Sequence, residues 1–257
     1  MKILNKKILS AERRAKNILI HLNDNRTILI HMKMTGHLLY GLYKFMPKNN
    51  PNDPWQPIEP EGLKDPYNKR VRFVITFSNG RHLALSDTRK FAKVAVVDTD
   101  IIHLSSHLAD LGPEPLENSF TFESFVARLN LRPNGKIKQV LTDQAVLSGI
   151  GNIYADESLW RAGIHPLQKV SLIPIKTRKD LFKAIKTTLS RGINLGGDSM
   201  SDYRNILGNK GQFQEQHHAY QKTNQKCEKK GCGGTIVRIL VGTRATHYCN
   251  VHQILIK

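Results

Sequence analysis

Residues 136–168 read KIKQVLTDQAVLSGIGNIYADESLWRAGIHPLQ, and this stretch predicts two helices joined by a tight turn. Apolar side chains recur at helical spacing in its first part, at Ile137, Val140, Leu141 and Val146. The glycine-rich SGIGN interrupts this pattern, and IYADESLWRAG resumes it as a second helix. That helix is expected to end at Gly163, with Pro166 just beyond it.

The turn between these helices has features of a phosphate-binding site. Gly149 and Gly151 let the backbone approach a ligand closely, and a helix start presents unpaired N–H groups to it. Asn152 stands at that start. An ordinary helical hairpin with a glycine turn would have the same pattern, so GIGN alone establishes no function.

The chain ends on a second pattern, CEKKGCGGTIVRILVGTRATHYCNVHQILIK, which holds its three cysteines. Thiolates and imidazoles are preferred zinc ligands, and four of them close a structural site. Four are present here at C-x4-C and C-x2-H spacing: Cys227, Cys232, Cys249 and His252. Between the two pairs, TIVRILV and RATHY predict a β-hairpin that turns at Gly242. We predict one structural Zn²⁺, with His247 as an alternative fourth ligand. Three unrelated buried thiols and a surface histidine are the competing interpretation.

Charge narrows the classes of function. The chain has 257 residues and is 40% hydrophobic, which suits one large domain or two ordinary ones with a small module. Lys and Arg number 39 against 21 Asp and Glu, and the resulting charge of +18 is spread along the chain. Such a field attracts polyanions. Nucleic acid is therefore the first candidate partner, and an anionic membrane surface is the second.

The compartment is predicted from three further features of the sequence. We find no apolar run long enough to span a bilayer, and the start, MKILNKKILSAERRAK, is too charged for a signal peptide. Three cysteines, an odd number, argue against a disulfide framework and fit a reducing compartment. We expect a cytoplasmic protein with no membrane partner.

GIGNIYADESLWRAGIHP closely resembles the helix–two-turn–helix motif of the formamidopyrimidine-DNA glycosylase and endonuclease VIII family. Other matches occur in the family's order, namely RRAKNILIHL at 13–22, HMKMTGHL at 31–38, SDTRKF at 86–91 and LGPEPL at 111–116. The cysteine-containing tail resembles the family's zinc finger. The resemblance covers essentially the whole chain, and the ordered set of motifs is very specific.

The resemblance implies an α+β protein that binds DNA in a cleft between two domains. Residues 1–102 would form the N-terminal catalytic β-sandwich, which is incomplete because its first helix and strand are missing. Residues 103–215 would form the helix–two-turn–helix DNA-binding domain, and residues 216–257 the zinc-finger β-hairpin. The partner implied is double-stranded damaged DNA, bound by a monomer in the bacterial cytoplasm at the nucleoid.

One departure from the family concerns the start of the chain. Members usually begin, after removal of Met, with Pro-Glu. The proline amine attacks the sugar C1′ and forms a Schiff base, since its pKa of about 8 leaves it partly uncharged. Here Lys2 follows Met1. We expect the natural protein to begin upstream of Met1. The alternatives are a relative that only binds DNA and weak lyase chemistry by another amine, such as that of Lys16 or Met1.

Two residues match catalytic positions of the family. Lys16, in RRAK, matches a lysine that contacts phosphates at the damaged nucleotide and assists β-elimination. Arg244, in GTRATHYC, matches the arginine at the tip of the zinc-held hairpin, which clamps phosphates and assists δ-elimination. A basic strand edge that only binds phosphates is the simpler interpretation of Lys16, and both roles are compatible.

Several further positions match DNA-binding residues of the family. Met34 matches the residue that fills the void left by an extruded base, and Arg89 and Phe91 match its partners. Without the resemblance, Met34 and Phe91 would be assigned to the core. The matches to phosphate-binding positions are Arg70, where the family has histidine, Asn134, where it has lysine, Lys138 and Asn152. Residues 209–222, NKGQFQEQHHAYQK, resemble the loop that closes over an extruded purine.

The sequence therefore predicts a base-excision-repair glycosylase with abasic-site lyase activity. Its substrates would be the oxidised purines 8-oxoguanine and formamidopyrimidines, and it would cleave abasic sites by β,δ-elimination. A catalytically inactive relative that binds damaged DNA is the alternative, because Pro-Glu does not follow Met1. A zinc-ribbon protein that binds RNA or the ribosome would fit the charge and the zinc, but not the ordered motifs.

Overall fold

The structure is a computed structural model, and it describes residues 3–256. These residues fall into two compact units. The first unit combines the chain up to Ser105 with Gly192–Glu215, and the second combines Ser106–Arg191 with the chain from Gln216 onward. These two units do not test the boundaries predicted for the three domains, which stay a prediction.

The first unit is a β-sandwich made of two antiparallel sheets. Its strands are β1 (Ile8–Arg14), β2 (Asn17–Leu22), β3 (Arg26–His31), β4 (His37–Phe45), β5 (Trp55–Glu59), β6 (Val71–Thr76), β7 (His82–Ser86) and β8 (Lys93–Asp98). One sheet has the order β1-β2-β3-β8 and the other β5-β4-β7-β6. The hairpins form because runs rich in Ile, Leu and Val alternate with short turns.

The core of the sandwich lies between the two sheets. Ile20, Ile28 and Ile30 of the first sheet pack against Leu38 and Leu85 of the second. A smaller apolar cluster covers the other face of the second sheet, and its buried members are Leu39, Tyr43, Leu63, Val71 and Ala84. Burial on both faces of the second sheet explains why HLALS of β7 is buried at every position.

Residues 192–215 pack onto this sandwich through polar contacts. The buried guanidinium of Arg204 pairs with Asp65 at 3.0 Å and lies 4.4 Å from the ring centroid of Tyr67. The amide of Asn68 donates to the carbonyl of Gly208 at 3.1 Å. These contacts attach residues 204–208, which precede the predicted closing loop, to the first unit.

The second unit is helical and ends in a two-stranded hairpin. Its elements are α1 (Phe122–Asn130), α2 (Ile137–Thr142), α3 (Asn152–Ala162), α4 (Ile175–Asn194), β9 (Ile236–Val241) and β10 (Arg244–Cys249). The last three residues of α4 belong to the first unit. Its core includes Phe125, Leu141, Leu147, Leu159 and Leu181, all essentially fully buried. None of the helices described between residues 3 and 256 is both long and apolar enough to cross a membrane.

The predicted helix pair is present, with a shorter first helix than the apolar pattern indicates. Helix α2 ends at Thr142, and residues 143–151 form a turn followed by bends that lead into α3. Gly149 adopts φ of 85°, and Gly163 ends α3 with φ of 71°, both in the left-handed region that favours glycine. The predicted α+β fold, with an N-terminal sandwich, a helical part and a C-terminal hairpin, is confirmed.

We expect Phe125→Ala to lower the free energy of unfolding by about 3–5 kcal/mol, because the ring is fully buried in the helical core. Urea denaturation followed by circular dichroism measures this change. The matched control is Leu131→Ala, just beyond α1, where the side chain is exposed and the expected loss is below about 0.5 kcal/mol. Equal losses for the two variants would contradict the placement of α1.

Candidate functional site

Three of the residues predicted to bind DNA meet at the ends of two sandwich loops. Met34 lies in the turn between β3 and β4, and Arg89 and Phe91 lie between β7 and β8. The Arg89 Nη1 approaches the Met34 Sδ at 3.3 Å, and its guanidinium lies 4.7 Å from the Phe91 ring centroid. Met34 is 68% exposed and Phe91 is 49% exposed. Two apolar side chains and a cation therefore project together into solvent. Met34 and Phe91 would instead be buried if they belonged to the core.

Asp87 holds these loops from beneath. Its buried carboxylate accepts hydrogen bonds from the Thr35 hydroxyl and from the amides of Arg89, at 3.2 Å, and Ala92, at 2.8 Å. Burial alone would raise the pKa of Asp87, but the donors around it outweigh burial and lower that pKa. The sequence prediction missed Asp87, although the SDTRKF match contains it.

Arg70 and Lys16 are exposed at two turns of the same unit. Arg70 adopts φ of 72°, and its amide donates to the Asp53 carboxylate at 3.2 Å. Lys16 lies in the two-residue turn between β1 and β2, after Ala15, whose φ is 54°. Lys16 is therefore exposed at the end of the β1–β2 hairpin and does not belong to a strand. Their roles on DNA stay predictions.

In the second unit, the start of α3 contacts the C-terminal hairpin. The Asn152 amide donates to the carbonyl of Ala245 in β10 at 3.1 Å. One turn further along α3, the Asp156 carboxylate accepts the amide of His247 at 3.0 Å. The hairpin is thereby fixed to the helix that follows the glycine turn.

Lys138 lies beneath this contact and not on the surface. Its side chain is buried, with the residue 1% exposed, and its ammonium forms an ion pair with Asp156. Burial lowers the pKa of Lys138, and the attraction of Asp156 opposes that shift. Through this ion pair, Lys138 supports α3 from inside the molecule. Asn134, by contrast, is exposed in the turn before α2.

Arg244 is exposed at the tip of the hairpin, beside a basic cavity of about 230 Å³. Gly242 adopts φ of 62° in the two-residue turn that precedes Arg244, as the sequence predicted for a turn at this glycine. The cavity lies between α2 and the hairpin, and its lining comprises Lys138, Gln139, Thr142, Asp143, Val241, Gly242, Thr243 and Arg244. Arg244, unlike Lys138, is positioned to reach an anion in solvent.

The base of the hairpin brings together the four predicted metal ligands. The His252 Nδ1 lies 3.4 Å from the Cys227 Sγ and 3.5 Å from the Cys232 Sγ, which lies 3.6 Å from the Cys249 Sγ. All four ligand atoms lie within 4.8 Å of one another. A tetrahedral zinc site with metal–ligand distances of about 2.0–2.3 Å has edges of roughly 3.5–3.8 Å. The cluster therefore has the size and the donor set of a metal site.

Contacts around the cluster favour His252 over His247 as the fourth ligand. The His252 Nε2 lies 3.0 Å from the carbonyl of Trp160, so it carries the proton and leaves Nδ1 to face the sulfurs. The Trp160 indole N–H lies 3.3 Å from the Cys227 Sγ. Burial raises the pKa of the Cys249 thiol to about 11, so a thiolate there needs a cation beside it near neutral pH. His247 lies on β10 beside Asp156, away from the cluster.

Loop residues beside the cluster are held by another acidic side chain of α3. The buried Glu157 carboxylate accepts the amides of His218, Ala219 and Tyr220 at 2.8–2.9 Å. The His218 ring stacks on Trp160, with ring centroids 4.3 Å apart. Sequence reasoning missed Asp156 and Glu157, because two acidic residues in a helix are usually solvated.

Known proteins match this chain over nearly its whole length. Two family models match, the formamidopyrimidine-DNA glycosylase N-terminal domain over residues 1–94 and the H2TH domain over residues 111–204. A formamidopyrimidine-DNA glycosylase of Herpetosiphon aurantiacus is 37% identical over 252 residues, which are 98% of this chain and 83% of that protein. One of Bacillus subtilis is 36% identical over 248 residues, 96% of this chain and 81% of that protein.

Solved structures match as well. The complex between the Lactococcus lactis Fpg and an abasic site containing DNA has a TM-score of 0.80 and 29% identity, and the match covers 97% of this chain and 83% of that one. A complex of the wild-type Lactococcus lactis Fpg with a DNA containing N7-benzyl-Fapy-dG has a TM-score of 0.80 and 29% identity, covering 98% and 84%.

We expect Lys138→Met to lower the free energy of unfolding by about 3–5 kcal/mol, because it leaves the buried Asp156 carboxylate without its cation. Thermal or urea unfolding measures the loss. The double variant Lys138→Met, Asp156→Asn removes both charges, keeps an acceptor for the His247 amide, and should recover part of it. A single variant as stable as the unaltered protein would show that the ion pair does not hold this part of the molecule.

Proposed function

Because the chain belongs to the formamidopyrimidine-DNA glycosylase family, we propose that it is a base-excision-repair glycosylase acting on damaged double-stranded DNA. Its substrates are the oxidised purines 8-oxoguanine and formamidopyrimidines, and it cleaves the resulting abasic site by β,δ-elimination. The observation that carries the proposal is the exposed cluster of Met34, Arg89 and Phe91.

The cluster suits the extrusion of a base. A glycosylase must take its target base out of the stack, at a cost of roughly a few kcal/mol, and the hole must be filled or the stack closes again. Met34 is the void-filling side chain. Arg89, held between Met34 and Phe91, places a cation where the orphaned opposite base presents hydrogen-bond acceptors.

Backbone contacts with DNA come from polar side chains in both units, of which Asn152 is half-buried and the others are exposed. The proposed set comprises Lys16, Arg70, Asn134, Asn152 and Arg244. They read phosphate charge and not sequence, in line with a net charge of +18. Lys138 supports this set indirectly, because its ion pair with Asp156 fixes β10 and thus the hairpin that ends in Arg244.

The chemistry requires an uncharged amine at the sugar. The amine attacks C1′, the glycosidic bond breaks, and the base leaves with a proton. The C1′–O4′ bond then opens, O4′ takes up a proton, and a Schiff base forms between C1′ and the amine. Loss of a C2′ proton then expels the 3′ phosphate, and Lys16 stabilises the developing charge. Loss of a further sugar proton expels the 5′ phosphate, which Arg244 holds. Lys16 and Arg244 thus act on the two elimination steps.

The Cys227, Cys232, Cys249 and His252 cluster holds one structural Zn²⁺ in this proposal. All four ligands come from the protein, so the metal supplies folding free energy and no catalytic water. Its role is to fix the base of a hairpin that has little core of its own, so that Arg244 is presented rigidly. The protein acts as a monomer on DNA in the cytoplasm, at the nucleoid.

A relative that binds damaged DNA without cutting it is the second candidate. Such a protein would use the Met34, Arg89 and Phe91 cluster and the phosphate contacts without a covalent step.

Borohydride trapping separates the two candidates. We expect the natural protein, isolated from its own cells, to form a covalent adduct with a duplex carrying an abasic site, because reduction of the Schiff base makes it permanent. Peptide mapping identifies the amine, which we expect at the N-terminus of that protein. A duplex with a tetrahydrofuran site is the matched control, since it cannot form an imine. Tight binding to both duplexes without any adduct would favour the binding-only relative.

The zinc assignment is tested by elemental analysis of the purified protein. We expect one zinc per chain, and we expect His252→Ala to lose most of it because a ligand is removed. His247→Gln is the matched control and should keep its zinc, since His247 lies beside Asp156. Retention of zinc by the His252 variant and its loss from the His247 variant would reverse the assignment.

A further inference from the structure

We propose that Asp87 is the positioning residue for the DNA-inserting loops of this protein, and this inference rests on the proposed function. Asp87 does not itself reach DNA in this assignment. It joins three separate stretches of the sandwich, so that Met34, Arg89 and Phe91 are presented as one rigid cluster together with Arg70.

The Asp87 side chain joins the two inserting loops. Its Oδ1 accepts the Thr35 hydroxyl, from the loop that carries Met34, and also the Arg89 amide at 3.2 Å. Its Oδ2 accepts the Ala92 amide at 2.8 Å, on the far side of Phe91. The Thr35 hydroxyl oxygen in turn accepts the Arg89 amide at 3.2 Å. One carboxylate thus fixes the backbone on both sides of Arg89 and Phe91.

The Asp87 main chain joins the third stretch. Its amide donates to the carbonyl of Arg70 at 3.1 Å, and its carbonyl accepts the Arg72 guanidinium Nε at 3.0 Å. Arg70 is the residue in the left-handed region, at φ of 72°, where a residue with a side chain needs support from its surroundings. Asp87 therefore contacts the stretches that carry Met34, Arg70, Arg89 and Phe91, but not the turn that carries Lys16.

The burial of Asp87 distinguishes it from an ordinary turn-forming aspartate. The residue is 1% exposed, and its carboxylate is surrounded by donors from two loops that lie more than fifty positions apart in the sequence. Hydrogen bonds to an ionised acceptor are the stronger kind, and several converge here. A neutral amide at this position could not accept from all of these donors, and it would place its own N–H₂ against one of them.

The variant Asp87→Asn tests the proposal, because it conserves size and removes an acceptor. The probes are a duplex with a single tetrahydrofuran site and an otherwise identical undamaged duplex, with 2-aminopurine opposite the site. We expect the affinity for the tetrahydrofuran duplex to fall about tenfold, the loss typical of one charge-assisted hydrogen bond. Affinity for the undamaged duplex should stay within about twofold, because phosphate contacts supply it.

The 2-aminopurine fluorescence gives a readout that a purely structural role would not change selectively. The unaltered protein should raise it by inserting side chains at the site, and Asp87→Asn should raise it less at saturating protein. Asp24→Asn is the matched control, since it removes a carboxylate of the same unit that pairs with Arg26 and with Lys6 at 3.3 Å. It should leave lesion preference and fluorescence unchanged.

Each outcome of this experiment decides a separate question. Full lesion preference and fluorescence in a folded Asp87→Asn protein would overturn the positioning role. If that variant does not fold, Thr35→Val removes the hydroxyl bridging Asp87 and Arg89 and carries the same test, with a loss expected in the same direction. An unaltered protein that does not prefer the tetrahydrofuran duplex would overturn the proposed function, whatever the variants do.

Discussion

The Asp156 carboxylate on α3 is the contact on which the C-terminal hairpin depends. Two six-residue strands are too small to bury a core, so β9 and β10 must be held by something outside themselves. Asp156 accepts the His247 amide of β10 and pairs with Lys138 of α2. Because the carboxylate is buried, it is costly to leave unpaired, and this cost locks the two helices and the hairpin into one arrangement.

Other buried acceptors near Asp156, and one in the sandwich, act in the same way. Glu157, the next residue of α3, accepts three amides of the loop that leads to the cysteines, and the carbonyl of Trp160 orients the His252 ring. In the sandwich, Asp87 gathers donors from two loops. In two of these cases, a buried carboxylate orders a backbone that exposes functional side chains: Arg244 above Asp156, and Met34, Arg89 and Phe91 around Asp87. Exposed groups held in this way lose little conformational freedom on binding.

Acidic and basic side chains of the protein differ in where they lie. The net charge of +18 means that Asp and Glu are outnumbered by Lys and Arg. Even so, several of the most buried charged residues are acidic: Asp87, Glu114, Asp156 and Glu157. Asp87, Asp156 and Glu157 use their charge inside the molecule to hold backbone amides and a buried lysine. Much of the basic excess is left on the surface, where it attracts a polyanion over long range.

Local patterns in the sequence predicted the helix–turn–helix, its end at Gly163, the hairpin that turns at Gly242, and a cluster of three cysteines with one histidine. Each of these follows from short-range spacing, in which the signal and the structure share the same few residues. The exposure of Met34 and Phe91 came from the resemblance, because apolar side chains in strand-like runs are otherwise assigned to a core. Three other features became visible only in the folded chain: Lys138 is buried, Asp87 joins three stretches, and His252, not His247, faces the sulfurs. Those outcomes depend on donors and acceptors distant in the chain, and no local pattern records which pairs will meet.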